Sequence, residues 1–475
     1  MNLMWFRRDL RIDDNPALIA ALQSGPTQAL FIATPEQWQQ HDMAPIQVDF
    51  IERHLNLLAE QLAKYGIPLT VLTVPNYASC TIALKEFCHT QQISQIFANQ
   101  EVELNECIRD RQILAAGLNL TLYEADVIVP KGTVKTGKGD MFHVFTPFRN
   151  AWVKQLQQHS IKTSSHPSEV LTHYQSIRAE KIVLEATKRS SEKWPLVSDI
   201  KKHVIPDFLQ TKHADYKQYR DFPALKGTSG VSPYLAIGAL SSKMLASQVL
   251  QHVPFILDNA KADIFCWLNE LAWRDFYKHL LFAYPNLIKG ITFSEKYSNL
   301  NWPNSNEYFI AWCEGRTGYP LVDAAMRQLR QTGWMHNRLR MVVASFLTKH
   351  LLVDWRLGEQ FFMQHLIDGD FSANNGGWQW AAGTGCDAQP YFRIFNPITQ
   401  SEKFDPDGSF IRKYLPELSN VPVKYIHLPH SYLAATGQSE CYWPAIVEHS
   451  QARQIALAFY KQQLGAPEND SNARN

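Results

Sequence analysis

The chain reads as an α/β domain with a parallel sheet followed by a large all-α domain. Three observations predict this. Short apolar runs alternate with amphipathic stretches only up to about residue 130. Beyond about residue 205 the helical period takes over and strand signals vanish. Composition changes along with pattern. Residues 1–130 carry 8 Lys/Arg against 15 Asp/Glu, the remainder 38 against 30, and eleven of the 13 Trp lie after residue 150. An acidic first part joined to a basic, Trp-rich second part suggests that only the second meets a polyanion. A length of 475 residues allows two or three domains.

The elements follow in order. Leu3–Phe6, Ala29–Ala33, Leu69–Val74, Ile96–Ala98 and Leu120–Tyr123 are apolar runs of strand length and are predicted to be buried strands. Between them Pro16–Gln23, Ile46–Tyr65, Tyr77–His89 and Asn105–Ala116 have helical spacing. Asp14-Asn15-Pro16 is a helix start, with a capping side chain ahead of a first-turn proline. No Gly-x-Gly-x-x-Gly follows Phe6, so the usual glycine signature for a dinucleotide is missing. Residues 131–204 are rich in Lys, Ser, Thr and Gly and are expected to be a linker wrapped over the surface, with one helix near Pro147–Gln157. Residues 205–475 form the helical domain, with helices expected at Ile264–Phe282, Tyr319–Thr332, Asn337–His350 and Trp355–Leu366. The polar tail after about residue 463 is expected to be disordered.

Several chemistries are excluded. The seven cysteines are scattered, odd in number and lack any Cys-x-x-Cys, which argues for reduced thiols in a cytosolic protein rather than disulfides or zinc. Arg7, Arg8, Asp9 and Arg11 come too early for a signal peptide. No run approaches the roughly 20 apolar residues of a membrane span. Gly-x-Ser-x-Gly, His-Glu-x-x-His and a phosphate-loop Gly-Lys-Ser/Thr do not occur, and no metal is expected.

Four constellations stand out. Asp368 to Trp380 (Asp-Gly-Asp-Phe-Ser-Ala-Asn-Asn-Gly-Gly-Trp-Gln-Trp) puts two carboxylates, three carboxamides and two indoles within thirteen residues, which suits a pocket for a large, flat, hydrogen-bonding ligand. Trp267, Glu270, Arg274 and Tyr277 share one side of a helix, with Trp273 close by. Indoles stack on bases, a carboxylate accepts from a base N–H, and Arg meets phosphate. A solvated face with aromatic anchors would have the same pattern. The third is Trp334-Met-His-Asn337-Arg338-Leu-Arg340-Met341, where Asn337, Met341, Ala344, Ser345 and Thr348 form a small, weakly polar stripe, equally suited to close helix packing. The fourth is Tyr216 and Arg220 followed by Gly227-Thr228-Ser229-Gly230-Val231-Ser232, a loop whose backbone N–H groups can cradle phosphate.

Together these residues resemble the photolyase/cryptochrome family, most closely the bacterial class I cyclobutane pyrimidine dimer photolyases of the folate type. The resemblance runs from Trp5-Phe-Arg-Arg-Asp-Leu-Arg11 to Ile446-Val-Glu-His449. Its most specific motifs are Thr317-Gly-Tyr-Pro-Leu-Val-Asp-Ala-Ala-Met-Arg-Gln-Leu329 and the stretch from Asn337-Arg-Leu-Arg-Met341 through Lys349 to Trp355-Arg356. It implies a Rossmann-like first domain and an all-α domain that binds FAD, active as FADH⁻. Tyr216, Thr228, Ser229, Gly230, Val231 and Ser232 would hold the cofactor's phosphates. Trp267, Arg340, Asp368, Gly369, Asp370 and Asn374 would surround the flavin and its sugar. Trp378, Trp355 and Trp302 match the family's electron path. Trp273 and Trp380 would flank a flipped-out dimer, Glu270 would bind its base edge, and Asn337 and Met341 would contact it. Arg220, Arg274, Arg338, Tyr277 and Gln400 would grip the damaged DNA. Asn105, Glu106 and Lys289 match the site of a 5,10-methenyltetrahydrofolate antenna.

The implied activity is light-dependent dimer repair by a cytoplasmic monomer that needs no membrane. Two positions depart from the pattern. Gly230 stands where the family's loop usually has Arg, and Ile288 precedes Lys289 where close relatives can have Cys. A cryptochrome-like light receptor and a 6-4 photolyase are the rival readings, and a light-independent basic nucleic-acid binder is a third. Glu270, Met341 and Asn374 match dimer repair enzymes, the 6-4 branch typically has His near the Met341 position, and no long signalling extension is expected after residue 463.

Overall fold

The computed structural model describes residues 1–464. Residues 465–475, nearly all of the tail expected to be disordered, lie outside the described residues. Five strands, β1 (Asn2–Phe6), β2 (Thr27–Ala33), β3 (Leu69–Thr73), β4 (Gln95–Asn99) and β5 (Leu120–Tyr123), form one parallel sheet in the order β3-β2-β1-β4-β5. Leu3 pairs with Gln28 on one side and Ile96 on the other. The strand order reverses between β1 and β4, and in such sheets the crevice at their carboxyl ends is where ligands bind. Leu3, Trp5, Leu30, Ile96 and Ile113 belong to one buried cluster, so β1, β2 and β4 are buried as expected, but the edge strands β3 and most of β5 are only partly buried because each has a neighbour on one side alone.

The longer helices are α1 (Pro16–Ser24), α2 (Pro45–Ala63), α3 (Tyr77–Thr90), α4 (Leu104–Ala115), α5 (Phe145–Gln158), α6 (Ser242–His252), α7 (Asp263–Ala283), α8 (Asn306–Glu314), α9 (Pro320–Thr332), α10 (Asn337–Ser345), α11 (Trp355–Met363), α12 (Phe371–Ala382), α13 (Pro397–Phe404) and α14 (His449–Leu464). The parallel α/β domain followed by helices is the architecture that the sequence predicts. Asn15 caps α1 as expected, its side chain accepting from the Leu18 backbone N–H at 3.1 Å. One prediction needs correction. The helix expected over Asn337–His350 is α-helical only to Ser345, and Phe346–His350 widens into a π-helical turn closed by Leu351 N–H to the Phe346 carbonyl at 3.2 Å. The small-residue stripe therefore keeps its register only to Ser345. A short helix at Pro35–Gln40 had no counterpart in the sequence reading.

Contacts divide the chain into two compact units that cut across the linear divisions 1–130, 131–204 and 205–475. The first comprises Met1–Lys217, Thr228–Ile288 and Ile367–Ser372, and the second Gln218–Gly227, Lys289–Leu366 and Ala373 onward. The second has its own core, in which Trp312, Trp355, Trp378 and Tyr460 are buried. All seven cysteines are free.

Candidate functional site

In the first unit, α7 carries the first group of candidate residues. Trp267 is buried, and its indole N–H donates to Ser229 Oγ at 3.1 Å. Phe208 packs on the Trp267 ring at 5.2 Å and on Tyr216 at 5.7 Å, so these candidates form one cluster. Phe208, Ser229, Val231, Gln248 and Trp267 are among the residues lining a small apolar cavity. Gln248 Oε1 is buried without a hydrogen-bond partner among the described residues, an acceptor open to a ligand amino group. The loop over the cavity passes from Thr228 through Gly230, which is left-handed at φ +64° with open space where a Cβ would lie.

Ser232 Oγ donates to the Asp368 carboxylate at 2.7 Å and ties this loop to the acidic segment. Gln47 fastens the same segment from α2, its side-chain amide donating to the Ile367 and Gly369 carbonyls at 3.1 and 2.9 Å. Hydroxyls, a glycine loop, an apolar cavity with an indole wall and an unpaired acceptor fit a cofactor with phosphate and flat heteroaromatic parts, as FAD has.

Asp370 lines a second, highly charged crevice, together with Arg8, Asp9, Asn99 and Glu101 at the carboxyl ends of β1 and β4. Its carboxylate lies 2.8 Å from Lys278 Nζ and 3.3 Å from Arg8 Nη2, and accepts from Ser372 Oγ at 2.5 Å. Lys278 is also 3.2 Å from Glu103 and 3.3 Å from Asp126. Burial alone would raise the Asp370 pKa, but Lys278, Arg8 and Arg274 hold it well below the usual carboxylate range. The Arg274 guanidinium donates to both the carboxylate and the carbonyl of Asp126, so a DNA phosphate would have to compete for it. Glu270, Trp273 and Tyr277 remain half-buried on α7.

Asn105 and Glu106 open α4. Glu106 Oε1 accepts from Tyr77 at 2.9 Å, His41 lies 3.9 Å away, and Asn105 Nδ2 meets His41 Nε2 at 2.9 Å. Burial, with Glu103 and Glu101 nearby, pushes Glu106 up to about 7. Its Oε2 is buried with no partner among the described residues, an acceptor open to a donor group. Lys289 is exposed and belongs to the second unit.

The second unit holds the remaining candidates. His336 Nδ1 caps α10 by accepting from the Arg338 N–H at 3.2 Å, and burial pushes its pKa down to about 4. Asn337 is exposed at the start of this helix and Met341 is half-buried one turn on. Arg338 reaches Asp221 at 2.8 Å and lies 4.4 Å over the Phe404 ring, while Arg220, also beside Asp221, is part-buried. Arg340 Nε donates to the Met335 carbonyl at 2.9 Å, and Gln400 on α13 is half-buried.

On α12, Asn374 Nδ2 donates to the Glu359 carbonyl at 3.0 Å, and Trp380 is half-buried. Trp378 is buried against Phe362 at 5.0 Å and Trp312 at 6.0 Å, Trp355 is fully buried, and Trp302 packs on Phe459 and Tyr460 at 5.6 and 6.1 Å.

Sequence reasoning missed Gln47, the Lys278–Asp370 pair, Trp312 and Gly358. Only Gly358 left a signal. It is an isolated glycine inside a helical pattern, which marks close packing, and a Cβ there would lie 2.2 Å from the Trp378 ring.

Comparisons with known proteins agree with this geometry. The profile described as "FAD binding domain of DNA photolyase" matches residues 267–462, and "DNA photolyase" matches residues 2–181. A deoxyribodipyrimidine photo-lyase of Vibrio cholerae is 46% identical over 475 residues, covering 98% of this chain and 100% of the relative. Its counterpart in Escherichia coli is 44% identical and covers 97% and 98%. Among solved structures, a class III photolyase from Agrobacterium tumefaciens aligns with a TM-score of 0.76 at 31% identity, covering 97% of each chain. A Synechocystis cryptochrome aligns at 0.80 and 29%, covering 97% of this chain and 99% of that one. With both profiles matched and full-length relatives well above 30% identity, the chain belongs to the DNA photolyase family.

Proposed function

We propose that the chain repairs cyclobutane pyrimidine dimers in DNA under light, with FAD as the working cofactor and a folate as antenna. The observation that carries the FAD assignment is the apolar cavity beside Trp267 and Ser229, lined by a Gln248 carbonyl that has no hydrogen-bond partner among the described residues. The relatives that span the full length bear the name of the repair activity. Reduced FAD, when bound, supplies on illumination the electron that splits the cyclobutane ring and takes it back, so the reaction needs no net reductant.

The chain's residues do the remaining work. Thr228, Ser229 and Ser232 bind phosphate through hydroxyls and loop N–H groups. Trp267 walls the cofactor, and Asp368 orients through Ser232. Arg340 and Asn374 carry the same assignment in the second unit. A dimer inside a duplex must be flipped out, at a cost of a few kcal/mol that is lower for a damaged pair. Trp273 and Trp380 offer stacking worth roughly 1–3 kcal/mol per base in repayment. Glu270 accepts from the base edge, and Asn337 and Met341 contact it. Arg220, Arg338, Tyr277 and Gln400 grip the strand, with Arg274 partly held by Asp126. Trp378, Trp355 and Trp302 would form the path that supplies electrons to a bound, oxidised flavin. Glu106 and Asn105 hold the antenna in the first unit, and Lys289 carries the same assignment in the second.

A cytoplasmic monomer is part of the same proposal, and among the described residues no helix is long and apolar enough to cross a membrane. The reading is tested by illuminating the flavin-loaded protein with dimer-containing DNA. Repair supports it, whereas lesion-independent photoreduction without repair would favour a light receptor.

A further inference from the structure

We propose that Phe145 is a positioning residue for lesion recognition, stacking on Trp273 and presetting that indole for a flipped base. This rests on the reading of Trp273 as a wall of the lesion site. The two rings lie 3.6 Å apart between centroids at an interplanar angle of 7°. Aromatic pairs left to themselves prefer offset or edge-on arrangements with centroids about 4.5–7 Å apart. A nearly eclipsed pair is therefore held by its surroundings.

Those surroundings are specific. Phe145 is the first residue of α5, and α5 is fastened to α7 at a buried carboxylate. Asp275 accepts from Trp152 Nε1 at 2.9 Å and from the Ile128 and Val129 backbone N–H groups at 3.0 and 3.1 Å. Phe148 and Phe145 both meet Phe276 edge-on, at 5.1 and 5.9 Å. Phe276 also meets the edge of Trp273 at 5.7 Å, and Tyr277 leans on it at 5.6 Å. One face of the indole is thus covered and its rotation is blocked, while Trp273 as a residue remains only half-buried. Phe145 is only 6% exposed and is no stacking platform for a base itself. Its contribution is to fix the indole's rotamer before DNA arrives, so that binding does not have to order it.

Equilibrium binding of dimer-containing and undamaged oligonucleotides to the flavin-loaded protein in the dark tests this. Phe145→Ala is expected to weaken lesion binding by about three- to tenfold, the range for ordering one side chain, and to leave undamaged DNA within about twofold. Phe145→Tyr restores the affinity, and Phe145→Ala adds nothing in a Trp273→Ala background. If Phe145→Ala fails to fold, Phe145→Leu, which keeps apolar volume without a flat ring, carries the same expectations. Wild-type lesion affinity in the variant, equal loss on both DNAs, or full additivity with Trp273→Ala overturns the proposal. If Trp273→Ala alone leaves lesion affinity intact, the underlying reading of Trp273 falls, whatever the Phe145 variants do.

Discussion

Lys278 Nζ lies 2.8 Å from the Asp370 carboxylate, and this pair ties α7 to the acidic segment that also carries Asp368. Removing one partner of a buried pair strands the other charge, at a cost of about 3–5 kcal/mol. Glu103 and Asp126 remain beside Lys278, so Asp370→Asn is expected to cost about 3 kcal/mol, the low end of that range, and to speed FAD loss. The sign with pH follows from the depressed carboxylate. Its stabilisation is fully present above the ordinary value of 3.8 and is lost as pH falls toward the lower folded value. Urea unfolding from neutral to acid pH should show the wild-type advantage over Asp370→Asn shrinking on acidification. A constant difference would contradict the pairing.

Gly358 leaves room for an indole. A Cβ there would sit 2.2 and 2.5 Å from two Trp378 ring atoms and 2.7 Å from Leu347 Cδ2, and none of these can swing away freely in a packed core. Gly358→Ala is expected to destabilise by about 1–3 kcal/mol through overpacking. It should also slow photoreduction of oxidised FAD by displacing Trp378. Thermal unfolding and flash-induced absorbance measure the two effects, and an unchanged photoreduction rate would argue against Trp378 as the first donor.

The legible parts of the chain are those where local pattern and tertiary role coincide. β1, β2 and β4 fall on apolar runs because a central strand of a parallel sheet is covered on both faces, whereas the edge strands β3 and β5 are apolar runs that stay largely half-buried. The α1 start was legible because Asn15 and Pro16 act within one turn. Trp267 and Ser229, both marked by residue type, are joined by a hydrogen bond, and Ser232 is tied to Asp368. Asp370 was assigned to the flavin by resemblance, but its carboxylate is bound by Lys278 and Arg8, partners far away in sequence that no local period reveals. Arg274 on its helical stripe gave no hint of Asp126 for the same reason. The break after Ser345 was invisible because a π turn changes the hydrogen-bond register without changing the residue types.

Gly230 has space for a larger residue but an unfavourable backbone for one. At φ +64° a Cβ meets no atom within 4 Å, yet an L-residue in the left-handed region costs about 1–2 kcal/mol. Gly230→Arg is therefore expected to slow FAD dissociation by adding a cation at the phosphate loop while lowering the melting temperature slightly. Gly230→Ala should show the stability loss alone. No slower dissociation in the Arg variant would count against weak retention in the native loop.

Lys349 is fully buried, with its ammonium donating to the Ala382 carbonyl at 2.9 Å and lying 4.2 Å over the Tyr460 ring. Burial pushes its pKa down from 10.5 to about 7. Between these values the unfolded chain holds the proton that the folded one has released. Stability therefore rises with pH across that window, and the burial cost is complete below about 7. Lys349→Met should flatten this rise and gain most on the acid side, while Tyr460 still donates to Ala382 at 3.3 Å. Denaturant titrations of both proteins across the window check it, and parallel pH profiles would refute it.

The most direct measurement is thymine recovery from an oligonucleotide containing one cyclobutane dimer, incubated with the fully reduced flavin-loaded protein in blue to near-ultraviolet light and in the dark. The account predicts catalytic recovery in light, none in the dark, and loss of recovery as salt rises because phosphate contacts release counterions. Absence of light-dependent recovery from protein that holds reduced FAD and binds the lesion would contradict it.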